Sequence, residues 1–233
     1  MVIIMGESPP RGDKGERQAL LRLMAWLSPA FPVGTFAYSG GLERAVADRL
    51  VSDGPSLRDW IHSSLEIGAT RTDALFLSLA HRCQEDAVEL AALADLAAAL
   101  AGSRERHAES LGLGSSFVTA VRAWPEAVLD RLPDPVPYPV AVGAVAGAHG
   151  VPVEWALLAF LQAYVAQATS VAIRLGVIGQ VEAVAIQSAT EDLLKRIAEV
   201  LVFAEEGDLG SGTMIGDIMS LRHETQPVRL FRS

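Results

Sequence analysis

The sequence predicts a single all-α domain, and three observations carry that prediction. Apolar residues recur at helical spacing along almost the whole chain, and no segment sustains the two-residue alternation of a half-buried strand. At 233 residues, half of them hydrophobic and a fifth charged, the chain is long enough to bury one large core.

Leu20, Leu23, Met24 and Leu27 follow the i, i+3, i+4, i+7 pattern of a first amphipathic helix, which Pro29 ends. The segment LSPAFPVGTFAYSGGLE (27–43) is too apolar for a solvated linker and too rich in Pro and Gly for a helix, so it reads as a shaped loop that touches something. Ser39 reads as the N-cap of the next helix and Glu43 as its first-turn acid; Leu42, Ala45, Val46 and Leu50 form that helix's stripe. Ser56 and Asp59 have capping-box spacing ahead of Trp60, Ile61 and Leu65, and Leu75, Leu79 and Cys83 continue in the same style. DAVELAALADLAAAL is nearly all good helix former.

SRERHAESLGLGSSFVTAVRAW resumes helix, loosened around Gly112 and Gly114, and its charges at 103–110 read as a solvated face. PDPVPYPV is an extended connector, because each proline disfavours helix at the residue before it. A small-residue helix is expected from about Val140 to Gly150. Pro152, read as an N1 proline, opens a long apolar helix over 153–174 that forms the centre of the domain. From Trp155 to Ile173 that helix carries no charge and approaches the length of a membrane span, but Gln162, Gln167, Thr169 and Ser170 favour a protein core. A last long helix runs from Gln180 to Glu205. The resulting division is a mobile N-terminal arm (1–17), a helical domain (18–206), and a flexible linker with a C-terminal tail (207–233).

Several chemistries are excluded by what is missing. The formal charge of −9 opposes sequence-blind nucleic-acid binding. No phosphate loop is present, and GSGTMIG misses the dinucleotide spacing and follows a helix. AYSGG around Ser39 lacks the first glycine and the strand of a nucleophile elbow. The five histidines are scattered, which leaves no set of convergent ligands for a metal within one chain, and no cofactor is expected. A single cysteine and an N-terminus without a basic leader lead to the expectation of a cytoplasmic protein. The tail ends in Arg229, Leu230, Phe231 and Arg232. It is either an anchor for a partner or a segment folded back on its own core, and physics alone leaves the two equal.

At these motifs the chain resembles the urease accessory protein UreF family. The opening matches at Ser28, Pro29, Pro32, Val33, Gly34, Phe36, Tyr38, Ser39, Gly41, Leu42 and Glu43. Ser103, Arg104 and Glu105 match the family's S-R-E, Pro139 to Gly143 its P-V-A-x-G, and Gly179 with Gln180 its Gly-Gln. The ending matches from His223 through Glu224 and Arg229 to Ser233. The sequence departs from the pattern at Gly40, Val177 and Pro227.

The resemblance implies an all-α, commonly dimeric protein without catalysis of its own. It would act with a UreD (UreH)-like protein, recruit a UreG-like GTPase, and help deliver nickel to the urease apoenzyme. It also implies no nucleic acid and no membrane among its partners. The partner-binding residues it implies are Pro32, Phe36, Tyr38, Ser39, Glu43, Arg104, Glu105, Gly179, Gln180, His223, Glu224, Arg229, Leu230, Phe231 and Arg232. The alternative is a helical regulator that directly modulates the partner's GTP hydrolysis.

Overall fold

The computed structural model describes residues 14–233, so the expected arm lies outside the described residues up to residue 13. Every long element among the described residues is helical, and none is a strand. α1 (Lys14–Trp26) ends just before the proline-rich loop, and Trp26 anchors it by packing edge-on to Trp124 at 6.0 Å. α2 (Leu42–Ala47) is short, and α3 (Gly54–Ile67) and α4 (Ala69–Arg82) follow with a break at Gly68. α5 (Ala87–Ala99), α6 (Arg104–Val121) and α7 (Tyr138–Ala148) lead to the long pair α8 (Val153–Arg174) and α9 (Gln180–Leu201). α10 (Met214–His223) precedes the tail.

Three helix starts, those of α3, α5 and α6, are fixed by side chains that supply missing acceptors. α3 has a capping box one helical turn earlier than the expected Ser56–Asp59 pair. Asp53 accepts from the Ser56 amide at 2.9 Å, and Ser56 Oγ accepts from the Asp53 amide at 3.1 Å. Asp86 and Ser103 cap α5 and α6 in the ordinary way. Ser39 is not the N-cap of α2; that position is Gly41, whose φ of 82° suits glycine. A Cβ there would also press on the Ser220 backbone of α10 at 3.0 Å. Pro152 is the N-cap of α8 and not its first residue, and α9 stops at Leu201, short of Glu205.

α4 and α7 cross most intimately, and residues 139–146 of α7 are all buried. Gly143 and Gly147 lie on one face of α7, four residues apart, and let its backbone rest on the backbone of α4. A Cβ at Gly143 would collide with the Leu77 carbonyl, and one at Gly114 would collide with the Val136 carbonyl. Gly114 therefore serves close packing, and α6 runs unbroken through it.

α8 packs against α9, α4, α3 and α7, and among the described residues it is the one helix long and apolar enough to cross a membrane by length and composition. Half of its most apolar window is buried in the domain. Its polar groups are paired: Gln187 of α9 donates to Thr169 Oγ1, and Gln167 donates to the carbonyls of Thr35 and Tyr38.

Two histidines stay neutral inside the fold. Burial depresses the pKa of His81, whose Nε2 lies 2.7 Å from the Val151 carbonyl. Burial likewise depresses that of His149, packed against Trp26 at 5.0 Å. Because folding opposes their protonation, their contribution to stability is full above the unfolded value near 6.5 and is lost as pH falls through it. Thermal melting should therefore shift down between pH 7.5 and 5.5, and His81→Gln should flatten that shift.

Candidate functional site

The sequence motifs converge where the C-terminal tail closes on the opening loop. Glu43, in the first turn of α2, is only 6% exposed. Its carboxylate accepts from the amides of Leu230 (2.7 Å) and Phe231 (3.0 Å), and faces His223 Nε2 at 3.0 Å. Glu105, on α6, lies 2.7 Å from His223 Nδ1 and accepts from Arg229 at 2.5 Å. His223 thus bridges two carboxylates and is fully buried. One turn further along α6, Glu109 accepts from Ser233 Oγ at 2.9 Å.

The loop holds the tail's backbone as well. The Ser39 amide donates to the Ser233 carbonyl at 2.8 Å, and the Arg232 amide donates to the Ala37 carbonyl at 2.8 Å. Ser39 Oγ donates to the same Ser233 carbonyl and accepts weakly from the Glu43 amide. Phe231 is 4% exposed, with the Arg174 guanidinium 4.2 Å above its ring. Arg174 also donates to the Phe36 carbonyl at 2.6 Å, so α8 clamps loop and tail together. Glu224 accepts from the Arg104 amide at 2.8 Å, and Ser103 and Ser220 share a hydrogen bond of 2.7 Å. Beneath this lies the Asp73–Arg106–Glu109 group. Burial works against the Arg106 charge, yet Asp73 and Glu109 more than offset it and hold the guanidinium above its ordinary pKa.

Three readings of the sequence meet the structure here. The charge cluster at 103–110 is not a solvated face, because Glu105 and Glu109 share a side of α6 that α10 and the tail cover. The tail's Phe231 is folded back on its own core, and only part of the terminal anchor remains outside. Nor does the linker at 207–212 hang free. It runs back along α4, with Arg71 donating to the Asp208 carbonyl, Thr72 to the Gly210 carbonyl, and the Gly212 amide to the Ile67 carbonyl.

Of the residues singled out, Phe36, Tyr38, Ser39, Glu43, Arg104, Glu105, His223, Glu224 and Arg229 through Arg232 are brought together. Tyr38 is half-buried against the core, with its hydroxyl close to Gly112. Pro32 is exposed in the loop, and Gly179 and Gln180 start α9 away from the tail. Glu109, Arg174 and Ser233 were missed. The signal for the first was two like charges at i and i+4, which call for a covering donor.

The tail leaves both apolar and basic side chains in solvent, since Arg229 and Arg232 are exposed as well as Val228 and Leu230. Phe36 of the opening loop is 71% exposed, and Val228 and Leu230 of the tail are exposed as well. Phe36 also borders a cleft of about 1340 Å³, into which α1 contributes Leu20 and Met24, α3 contributes Ile67, and α10 contributes Met214 and Ile215. An open apolar rim beside a rigid, hydrogen-bonded frame has the character of a protein-binding surface. Among the described residues, no group of three or more His, Cys, Asp or Glu side chains is placed to hold a metal ion.

Comparisons with known proteins agree on one family. The family model described as UreF matches residues 51–191. The chain is 58% identical over 218 residues to "Urease accessory protein UreF" of Rhizobium johnstonii, covering 94% of this chain and 98% of that one. It is 53% identical to the protein of the same name from Agrobacterium fabrum, over 92% of this chain and 96% of that one. It is 52% identical to "Urease accessory protein UreF 1" of Brucella canis, over 92% and 94%.

Proposed function

Because this chain belongs to the UreF family of urease accessory proteins, we propose that it is a non-catalytic scaffold for nickel insertion into urease. It binds a UreD (UreH)-like protein, and together they recruit a UreG-like GTPase to the urease apoenzyme. It works in the cytoplasm as a homodimer and needs no cofactor. The observation that carries this reading is the tail dock, in which Glu43, Glu105 and His223 freeze a terminus that would otherwise fray.

The dock spends Phe231 inside the chain and presents Leu230 and Phe36 outside. A UreD-like partner then finds two apolar anchors on an ordered platform, so it does not bear the cost of ordering the tail. The carrying side chains are on the rim, which makes the test clean. Phe36→Ala with Leu230→Ala should leave melting within a degree or two of the parent, since both side chains are exposed. Burial of two such side chains on a partner supplies roughly 3–6 kcal/mol, so the double variant should lose at least a hundredfold in affinity for the UreD-like protein, measured by calorimetry. Unchanged affinity would place the contact elsewhere. Tyr38→Ala, by contrast, should lower the melting temperature, because that ring packs on the core.

A further inference from the structure

Phe203 is the most conspicuous apolar group that the tail site does not use. It stands at the apex of the turn after α9 and is 83% exposed, while Leu201 and Ala204 on either side are buried. The turn is not loose. Arg82, at the end of α4, donates to the Val202 carbonyl at 2.9 Å and to the Ala204 carbonyl, and Ser78 donates to the Leu201 carbonyl at 2.8 Å. The same Arg82 nitrogen reaches Ser78 Oγ at 3.0 Å. The Phe203 and Ala204 amides donate back to the Val200 and Leu201 carbonyls. A guanidinium fork that grips the carbonyls on both sides of one residue fixes the direction in which that residue points. Here it points a phenyl ring into solvent, with Val200, 62% exposed, one turn behind it.

The exposed charges nearest the turn are mostly acidic, with Arg196 the basic residue two turns back on the same face of α9. Glu199 is exposed on the last turn of α9, and Glu206 is exposed just beyond the turn. Glu206 and Glu205 share a small surface depression with Glu89 of α5. The one cation lining that depression, Arg82, is already committed to backbone carbonyls. A pre-oriented aromatic anchor inside an acidic rim is complementary to an apolar pocket bordered by Lys and Arg. A second copy of the chain is disfavoured as the occupant, because a two-fold contact here would set the same glutamates against one another.

We infer that the α9 turn at Phe203 is a second protein-docking surface, separate from the tail site, for a partner that offers an apolar pocket bordered by basic side chains. Arg82 acts as a positioning residue for it. The two surfaces lie toward opposite ends of α4: Arg82 is in its last turn, and Asp73, which reaches the tail group through Arg106, is in its N-terminal half. One scaffold can therefore hold two proteins at once.

The test uses the full chain co-expressed with the complete urease gene set and purified by affinity under low and high salt. Phe203→Ala and the pair Glu199→Lys/Glu206→Lys are compared with the parent, after equal melting temperatures show that all are folded. The proposal expects the same co-purifying component to fall at least tenfold in both variants and to be stripped from the parent by 0.5 M salt. A benzoylphenylalanine placed at 203 should crosslink to a Lys- or Arg-bordered surface of that component. Parent-like composition in both variants, or a crosslink solely to another copy of this chain, overturns it. A chain ending at Thr225 separates this from the tail reading: it should keep the Phe203-dependent component whether or not it loses a UreD-like one.

Discussion

Glu43→Ala should release the tail while leaving the helical body folded. The substitution strands two amides, those of Leu230 and Phe231, together with one nitrogen of His223, in a site that is otherwise buried. Removing one side of a buried, charge-assisted set costs about 3–5 kcal/mol. The tail follows the last helix and is held to the body chiefly by hydrogen bonds, so opening should be local. The Phe231 amide should then exchange with solvent roughly a thousandfold faster, while amides of α4 and α7 keep the parent's protection. Glu43→Gln retains an acceptor oxygen and should fall between the two. Hydrogen exchange by mass spectrometry resolves these cases. Protection at 230–231 unchanged in Glu43→Ala would mean that the carboxylate does not hold the tail.

Gly143→Val should destabilise the helical body as a whole. The glycine lies where α7 presses on α4, and any side chain there meets the Leu77 carbonyl oxygen, which belongs to a helix and cannot swing aside. Overpacking of a well-filled core typically costs 1–3 kcal/mol. Because α4 also carries Asp73 at one end and Arg82 at the other, separating α4 from α7 disturbs both docking surfaces together. The expected outcome is a chain that expresses poorly or melts well below the parent. A Gly143→Val protein that melts like the parent would contradict the close helix crossing.

The helical class was legible because it depends on local periodicity, and α8 reads directly from its apolar run. The opening loop was legible as a shaped loop, since prolines and glycines at 29–41 leave few other conformations. Long-range closure was not. The pattern of Glu105 and Glu109 on one side of α6 looks the same whether that side meets water or a segment more than a hundred residues later. Ser39 illustrates the same limit. Its hydroxyl does accept from the Glu43 amide, as a cap would, but its stronger partner is the Ser233 carbonyl at the other end of the chain. Gly112 and Gly114 look like weak points by helix propensity. Gly114 is in fact demanded by a neighbouring backbone, which no single-helix scale records. The family motifs in the loop, in α6 and at the terminus are spread over the sequence but form one contact network, and that unity is visible only in three dimensions.

The central claim is that the docked tail presents the surface on which urease maturation depends. Its most direct test is the nickel content of urease co-expressed with a chain that ends at Thr225, measured by elemental analysis on the purified enzyme. The truncated chain loses Leu230, Phe231 and both terminal arginines but keeps every helix. It should stay folded and dimeric and fail to bind the UreD-like protein, and the urease made beside it should be nickel-free. Urease with a full nickel complement and normal activity, produced beside the truncated chain, would contradict the account.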